Sequence, residues 1–408
     1  MKFKLLSVFT FWVFISFIGF SQPPKGIDFQ HVSFAELKAK AALEKKLIFV
    51  DAYTTWCGPC KWMAKNVFTT EDVGSYYNHH FINAKIDMEK GEGLELTKLF
   101  NVSFYPSLLY IDSEGAIVHR AVGSRDGKAF IELGKEALDP DQNLRGLAQK
   151  FKQDPSSFAT AFRYITLLDA AELPEEKAVF ETYIATQDRV KWVEPNNWRM
   201  LYSFVQNPKT PLFVYFKENR AQFSKRYTTD SVDAKLVEVY FNHLQRAAQG
   251  KDDSTWQKTK KAILDLNLPG ADRHIASTTI LRAEGDKELK MKRIIDFMNQ
   301  FGSQNANELN EYSWAIFESS SDPKQLLFAE SWAKTGIELT PEEPNIRDTY
   351  AQLLFKNKKT AEAKIQAEKA IALGEKSGND MSGTKALLKE IDSLSKPEKA
   401  RTKPNSHK

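Results

Sequence analysis

Three features of the sequence predict an α/β domain followed by an all-α, partly repeat-like helical domain. The apolar run from Lys46 to Tyr53 reads as a buried strand, a helical stretch follows from Cys57 through Met63 and Val67, and Phe81 to Asp87 reads as a second strand. That β-α-β order belongs to a sheet covered by helices. From Asn143 onward strand-like runs stop, and apolar residues recur at three and four spacings, as in Phe158, Phe162, Ile165 and Leu168. The length of 408 residues also exceeds the roughly 100–200 residues of one domain.

The chain begins with Lys2 and Lys4, then an apolar run from Leu5 to Phe20, then Ser21. Such a layout is a secretory leader over residues 1–21, with cleavage expected after Ser21. The run is short of the ~20 residues of a spanning helix, yet an uncleaved anchor stays open as the alternative if the helix tilts. The expectation is export, most simply to a periplasm, with the membrane touched only through the leader. The 57 basic and 53 acidic residues give a net charge of +4 and are interspersed, which argues against nucleic acid as a partner.

Within residues 22–140 the expected order is a helix from Phe34 to Lys45, the strand, the helix from Cys57, the strand at Phe81, and a short helix from Leu94 to Phe100. Two strands follow, Ser107 to Asp112 and Ala116 to Arg120, then a closing helix from Lys128 to Leu138. Residues 141–309 read as helices separated at Pro155, Pro174, Pro195, Pro208, Pro211 and Pro269. In residues 310–395, Ala329, Ala333, Ile337 and Leu339 return as Ala363, Ala367, Ile371 and Leu373, each 34 residues further on. This resembles the tetratricopeptide repeat; an ordinary antiparallel helix pair is the alternative. Residues 396–408, rich in Lys, Pro and Ser, read as a disordered tail.

The only cysteines are Cys57 and Cys60, in Trp56-Cys57-Gly58-Pro59-Cys60. A pair three residues apart closes a minimal loop and restrains the unfolded chain little, so reactivity explains it better than stability does. A structural zinc site takes four ligands, and no H-x3-5-H pair accompanies the two cysteines, so no metal is expected. No cofactor is expected beyond the redox-active Cys57-Cys60 disulfide. At a helix start, unpaired N–H groups and the positive dipole end lower the pKa of Cys57 and make it the nucleophile. Cys60, one turn on and less exposed, is expected to be the resolving thiol. Pro59 stiffens the first turn, where its missing N–H costs nothing. Asp51 is ionisable within an apolar run, so burial should raise its pKa, unless it is a surface carboxylate at a strand end. Trp56 is expected in an exposed apolar rim, although an isolated tryptophan is more often core.

The stretch Phe49 to Lys61, with Ala84-Lys85-Ile86-Asp87, Val102 to Ser107 and Gly123, resembles thioredoxin over about a quarter of the chain. Lys61 to Phe68 also resembles exported thioredoxin-like reductases that take electrons from a membrane reductase. The resemblance implies a thioredoxin fold with a central mixed sheet. It implies that Asp51 lies beneath Cys60 and exchanges its proton, with Lys85 tempering the charge. It implies a cis Tyr105-Pro106 bond whose backbone pairs with substrate, in a substrate surface that includes Trp56, Gly58, Pro59 and Gly123. It further implies a thiol:disulfide oxidoreductase of reductase or isomerase type, whose clients are disulfide-containing exported proteins and whose electron donor is a membrane thiol reductase. Gly58-Pro59 is the dipeptide of reducing thioredoxins, near roughly −270 mV. A protein-interaction module, with the helical region binding a partner, is the competing expectation. A role in cytochrome maturation is weaker, because no long insertion separates Cys60 from Pro106.

Overall fold

The computed structural model describes residues 26–394. The expected leader and the tail beyond 394 lie outside the described residues. The chain divides into two compact units, Met1–Met200 and Leu201–Lys408.

In the first unit the sheet is built from β1 (Leu47–Tyr53), β2 (Phe81–Asp87), β3 (Ser107–Ile111) and β4 (Ile117–Val122), in the order β2-β1-β3-β4. β1 and β2 are parallel, whereas β3 runs antiparallel to both β1 and β4. Helices α1 (Phe34–Glu44), α2 (Gly58–Asn66), α3 (Glu71–His80), α4 (Gly93–Leu99) and α5 (Gly127–Leu138) cover it. Side chains of a strand alternate between faces, and β1 shows the consequence. Ile48, Val50 and Ala52 pack with Phe34 and Leu37 of α1 and Leu96 of α4. Phe49 faces the other way, against Met63 of α2, Tyr77 of α3 and Phe130 of α5. By the same alternation Asp51 shares the face of Phe49, the one that α2 covers.

The strand limits and the other helices fall within a few residues of the sequence reading, but α3 was not anticipated there. Its buried face is Val73, Gly74 and Tyr77, so a glycine stands where an apolar marker would reveal the helix. A Cβ at Gly74 would meet the backbone of Gly26 at 2.4 Å, and this close approach excludes a larger residue.

Beyond α5 come α6 (Leu144–Gln153), α7 (Phe158–Ala170), α8 (Glu175–Thr186) and α9 (Pro195–Phe204). Helix α6 packs on β4 in the same compact unit as the sheet. Arg145 pairs with Asp112 at 2.7 Å and donates to the carbonyls of Ala116 and Ile117, while His119 Nδ1 accepts the Leu144 N–H. Arg145 thereby satisfies carbonyls at the start of β4.

The second unit is helical throughout its described residues: α10 (Pro211–Glu218), α11 (Arg220–Tyr227), α12 (Thr229–Gln249), α13 (Asp253–Asp265), α14 (Ala271–Arg282) and α15 (Lys287–Phe301). Then follow α16 (Ala306–Ser319), α17 (Pro323–Leu339), α18 (Pro344–Lys356), α19 (Thr360–Ser377) and α20 (Ser382–Leu394). Ala329 and Ala333 of α17, and their counterparts Ala363 and Ala367 of α19, are all fully buried in one core with Leu353 and Leu354. Leu339, by contrast, is 40% exposed. No helix among the described residues is long and apolar enough to cross a membrane.

Candidate active site

β1 ends at Tyr53, and a short turn delivers the chain to α2. The Cys57 N–H donates to the Thr54 carbonyl at 3.3 Å, closing that turn. Cys57 is the N-cap of α2, and its Sγ accepts the N–H of Cys60 at 3.1 Å. The sulfur thus takes the place that a serine or aspartate oxygen holds in an ordinary cap. A thiolate there gains from the amide and from the positive end of the helix. Gly58 and Pro59 form the first turn, where the absent proline N–H would have had no partner.

Cys57 and Cys60 are joined as a disulfide. They are 3% and 2% exposed, so both are almost fully buried in this oxidised form. What distinguishes them is position: Cys57 caps the helix and Cys60 lies inside it.

Asp51 is fully buried on β1, directly in register with Lys85 on β2. Parallel strands place in-register side chains on the same face, and the Lys85 ammonium stands 3.4 Å from the carboxylate. The ammonium also lies over the Tyr53 ring at 4.7 Å. Neither Asp51 oxygen makes a hydrogen bond among the described residues. Burial pushes the Asp51 carboxyl up to about 6, against the opposing pull of Lys85. It is a buried acceptor on the face that α2 covers.

Trp56 is 65% exposed. Its indole N–H donates to the Glu89 carboxylate at 3.0 Å, and its ring meets the edge of Tyr105 at 5.9 Å. The Tyr105-Pro106 peptide bond is cis, as the resemblance implied. Pro106 accepts the Gly123 N–H at 2.9 Å through its carbonyl, and Gly123 has φ +88°, in the left-handed region that favours glycine. Tyr105 itself makes no backbone hydrogen bond among the described residues. The ten residues read from the sequence therefore converge on one end of the sheet: the ends of β1 and β4, the start of β3, β2 beside them and the start of α2. The sequence reading missed Glu89, whose carboxylate holds the Trp56 indole. Glu89 lies in the turn after β2 and carries no local motif. Among the described residues no cluster of three His, Cys, Asp or Glu side chains is placed to hold a metal ion.

A thioredoxin-like family model matches residues 29–113. A thioredoxin-like protein of Synechocystis is 32% identical over 103 residues, spanning 25% of this chain and 90% of that protein. This chain belongs to the thioredoxin-like family. The thiol:disulfide interchange protein DsbD of Yersinia pestis is 31% identical over 113 residues, 26% of this chain but 19% of that protein. The chain thus spans about a fifth of that relative's length. A solution structure of a candidate disulphide-isomerase from Bacteroides thetaiotaomicron is 48% identical, covering 28% of this chain and 95% of that one, at a TM-score of 0.27. With the Cys57–Cys60 disulfide at its helix start, this thioredoxin-like chain is of thiol:disulfide oxidoreductase type.

Proposed function

We propose that the protein is an exported thiol:disulfide reductase or isomerase, acting on disulfides of exported client proteins and recharged by a membrane thiol reductase. The observation that carries this reading is the N-capped disulfide joined to a buried, unsatisfied Asp51. In the reduced protein the Cys57 thiolate attacks one sulfur of a client disulfide. The client S–S bond breaks, its second sulfur leaves as a thiolate, and a Cys57–client mixed disulfide forms. Asp51 then takes the Cys60 proton, and the Cys60 thiolate attacks Cys57 Sγ. The mixed disulfide breaks, the client leaves as a dithiol, and two electrons have passed to it. A dithiol donor returns those electrons to Cys57–Cys60. Lys85 holds the charge of Asp51 near its working range. No cofactor takes part beyond the cysteine pair. Trp56, Gly58, Pro59, Tyr105, Pro106 and Gly123 form the client surface, with an extended client segment pairing to the free backbone of Tyr105.

In this reading the helical part does no chemistry and selects the client, with the α16–α19 hairpins acting as a tetratricopeptide-like pair. The residue divisions 22–140, 141–309 and 310–395 are then functional ones, after a leader that ends at Ser21. Export is supported by the leader pattern, and the membrane donor by the likeness to DsbD.

Equilibration of the purified protein with glutathione tests the direction of flow. A potential near the roughly −270 mV of reducing thioredoxins is expected, whereas one near about −120 mV would make the protein an oxidant. The gap is about 7 kcal/mol for two electrons, ample to decide direction.

A further inference from the structure

We propose that Arg120 is a positioning residue of this site: from β4 it sets the course of the segment 101–105, which brings Tyr105 to Trp56, and so governs affinity for protein clients rather than the exchange of electrons. The inference rests on the oxidoreductase reading above, in which that segment meets the client.

Arg120 pairs with Leu109 across β3 and β4, and only 4% of it is exposed. Paired strand residues share a face, so Arg120 lies on the face of Leu109, whose core includes Leu96 and Phe100. Its Nη1 donates to the Phe100 carbonyl at 3.0 Å, while its Nε has no partner among the described residues. Burial holds the guanidinium below the usual arginine range, and Glu175 of α8 opposes that shift. An apolar side chain would fill the same space without the cost of removing a charge from water. What the arginine adds is the donor that reaches Phe100.

The Phe100 carbonyl stands where α4 gives way to the segment. Asn101 has φ +47°, in the left-handed region, and the Val102 N–H turns back to the Thr97 carbonyl at 2.9 Å. A helix closed in this way still leaves carbonyls of its last turn without intrahelical partners. Arg120 satisfies the one at Phe100 and ties this end of α4 to β4. Beyond the turn, Ser103, Phe104 and Tyr105 donate no backbone hydrogen bond among the described residues. At the far end the Pro106 carbonyl accepts the N–H of Gly123, three residues after Arg120. β4 thus holds the segment at both ends. Between them it has no ladder of its own, so its course follows from how the ends are fixed. The Tyr105 side chain packs on the same core as Phe100 and Val102, and its ring meets Trp56 at 5.9 Å. The cysteines and Asp51 belong to α2 and β1, and the Arg120 side chain donates to neither element. A change at Arg120 therefore moves the segment and leaves the thiol chemistry in place.

The test uses the full-length protein, reduced and freed of reductant. It is mixed in single turnover with increasing insulin, or with oxidised glutathione, and its oxidation is followed by tryptophan fluorescence. Arg120→Met should raise the half-saturating insulin concentration at least about fivefold, as expected when a buried carbonyl loses its donor. Its maximal rate, its rate with oxidised glutathione, its glutathione potential and the pH profile of Cys57 alkylation should match the wild type. Arg120→Lys keeps a donor for Phe100 and should recover most of the loss. A purely structural role would lower the urea midpoint of Arg120→Met without separating insulin from glutathione. Unchanged half-saturation in folded Arg120→Met, equal losses on both oxidants, or an Arg120→Lys no better than Arg120→Met would each overturn the inference. Should Arg120→Met not fold, Arg120→Gln takes its place and the same split is required of it. A wild type oxidised by neither contradicts the oxidoreductase reading itself.

Discussion

Asp51 and His119 are both fully buried, and burial moves their acidities in opposite directions. Asp51 rises from 3.8 to about 6, so the folded state prefers its neutral form. That preference stabilises the protein fully below pH 3.8 and is lost as pH rises through about 6. Asp51→Asn is therefore expected to be more stable than the wild type by about 3 kcal/mol at pH 7.5, with the difference gone near pH 3. Urea unfolding at the two values checks this. The same variant should reduce disulfides at least about tenfold more slowly, because Cys60 loses its base. His119 falls from 6.5 to about 3, chiefly through burial, with Arg163 and Arg125 adding repulsion. Here the stability is present above pH 6.5 and lost as pH falls toward 3. His119→Gln should flatten that acid limb in a pH series of urea midpoints. The cysteine pair and the buried carboxylate were legible in the sequence because each breaks a local rule: two cysteines alone in the chain and only three residues apart, and a charge in an apolar run. Glu89 breaks no such rule. Only the turn after β2 brings it to Trp56.

At the scale of elements, the sequence reveals what is periodic and hides what depends on a neighbour. β1 and β2 were read to within a residue, since β1 is an almost continuous apolar run and β2 carries Phe81, Ile82, Ala84 and Ile86 between its polar residues. Helix α3 was missed because Gly74 occupies its buried face, and the reason for that glycine is Gly26, almost fifty residues away. The docking of α6 on β4 was likewise hidden. It depends on Arg145 reaching Asp112, Ala116 and Ile117, and surface arginines give no sign of their partners. Residues 22–140 were expected to carry the chemistry alone, and α6 adds a condition to that. A fragment ending at 140 should keep the cysteine chemistry but expose His119 and the β4 edge. It should melt several degrees below a fragment ending at 194 and tend to self-associate, as static light scattering would reveal. Within the full chain, Arg145→Ala should lower stability by about 1–2 kcal/mol while leaving the potential unchanged.

For the molecule as a whole, the two cysteines place all thiol chemistry in the first compact unit, and the second unit contributes helices alone. Leu353 of α18 is fully buried in the core shared by α16 to α20. Leu353→Ala should destabilise the second unit by about 2–5 kcal/mol, with no change in the glutathione potential. A shift in potential would mean that the helices tune the disulfide. The helical nature of this region was plain from its spacing. The central claim remains that Cys57 exchanges electrons with protein disulfides and Cys60 resolves the product. It is tested most directly by incubating the reduced Cys60→Ser full-length protein with a disulfide-bonded protein such as insulin, followed by acid quench and mass spectrometry. The account predicts a mixed disulfide on Cys57 that persists because no resolving thiol remains, while Cys57→Ser under the same conditions gives little adduct. Accumulation of adduct on Cys60 in Cys57→Ser, with none on Cys57 in Cys60→Ser, would contradict it.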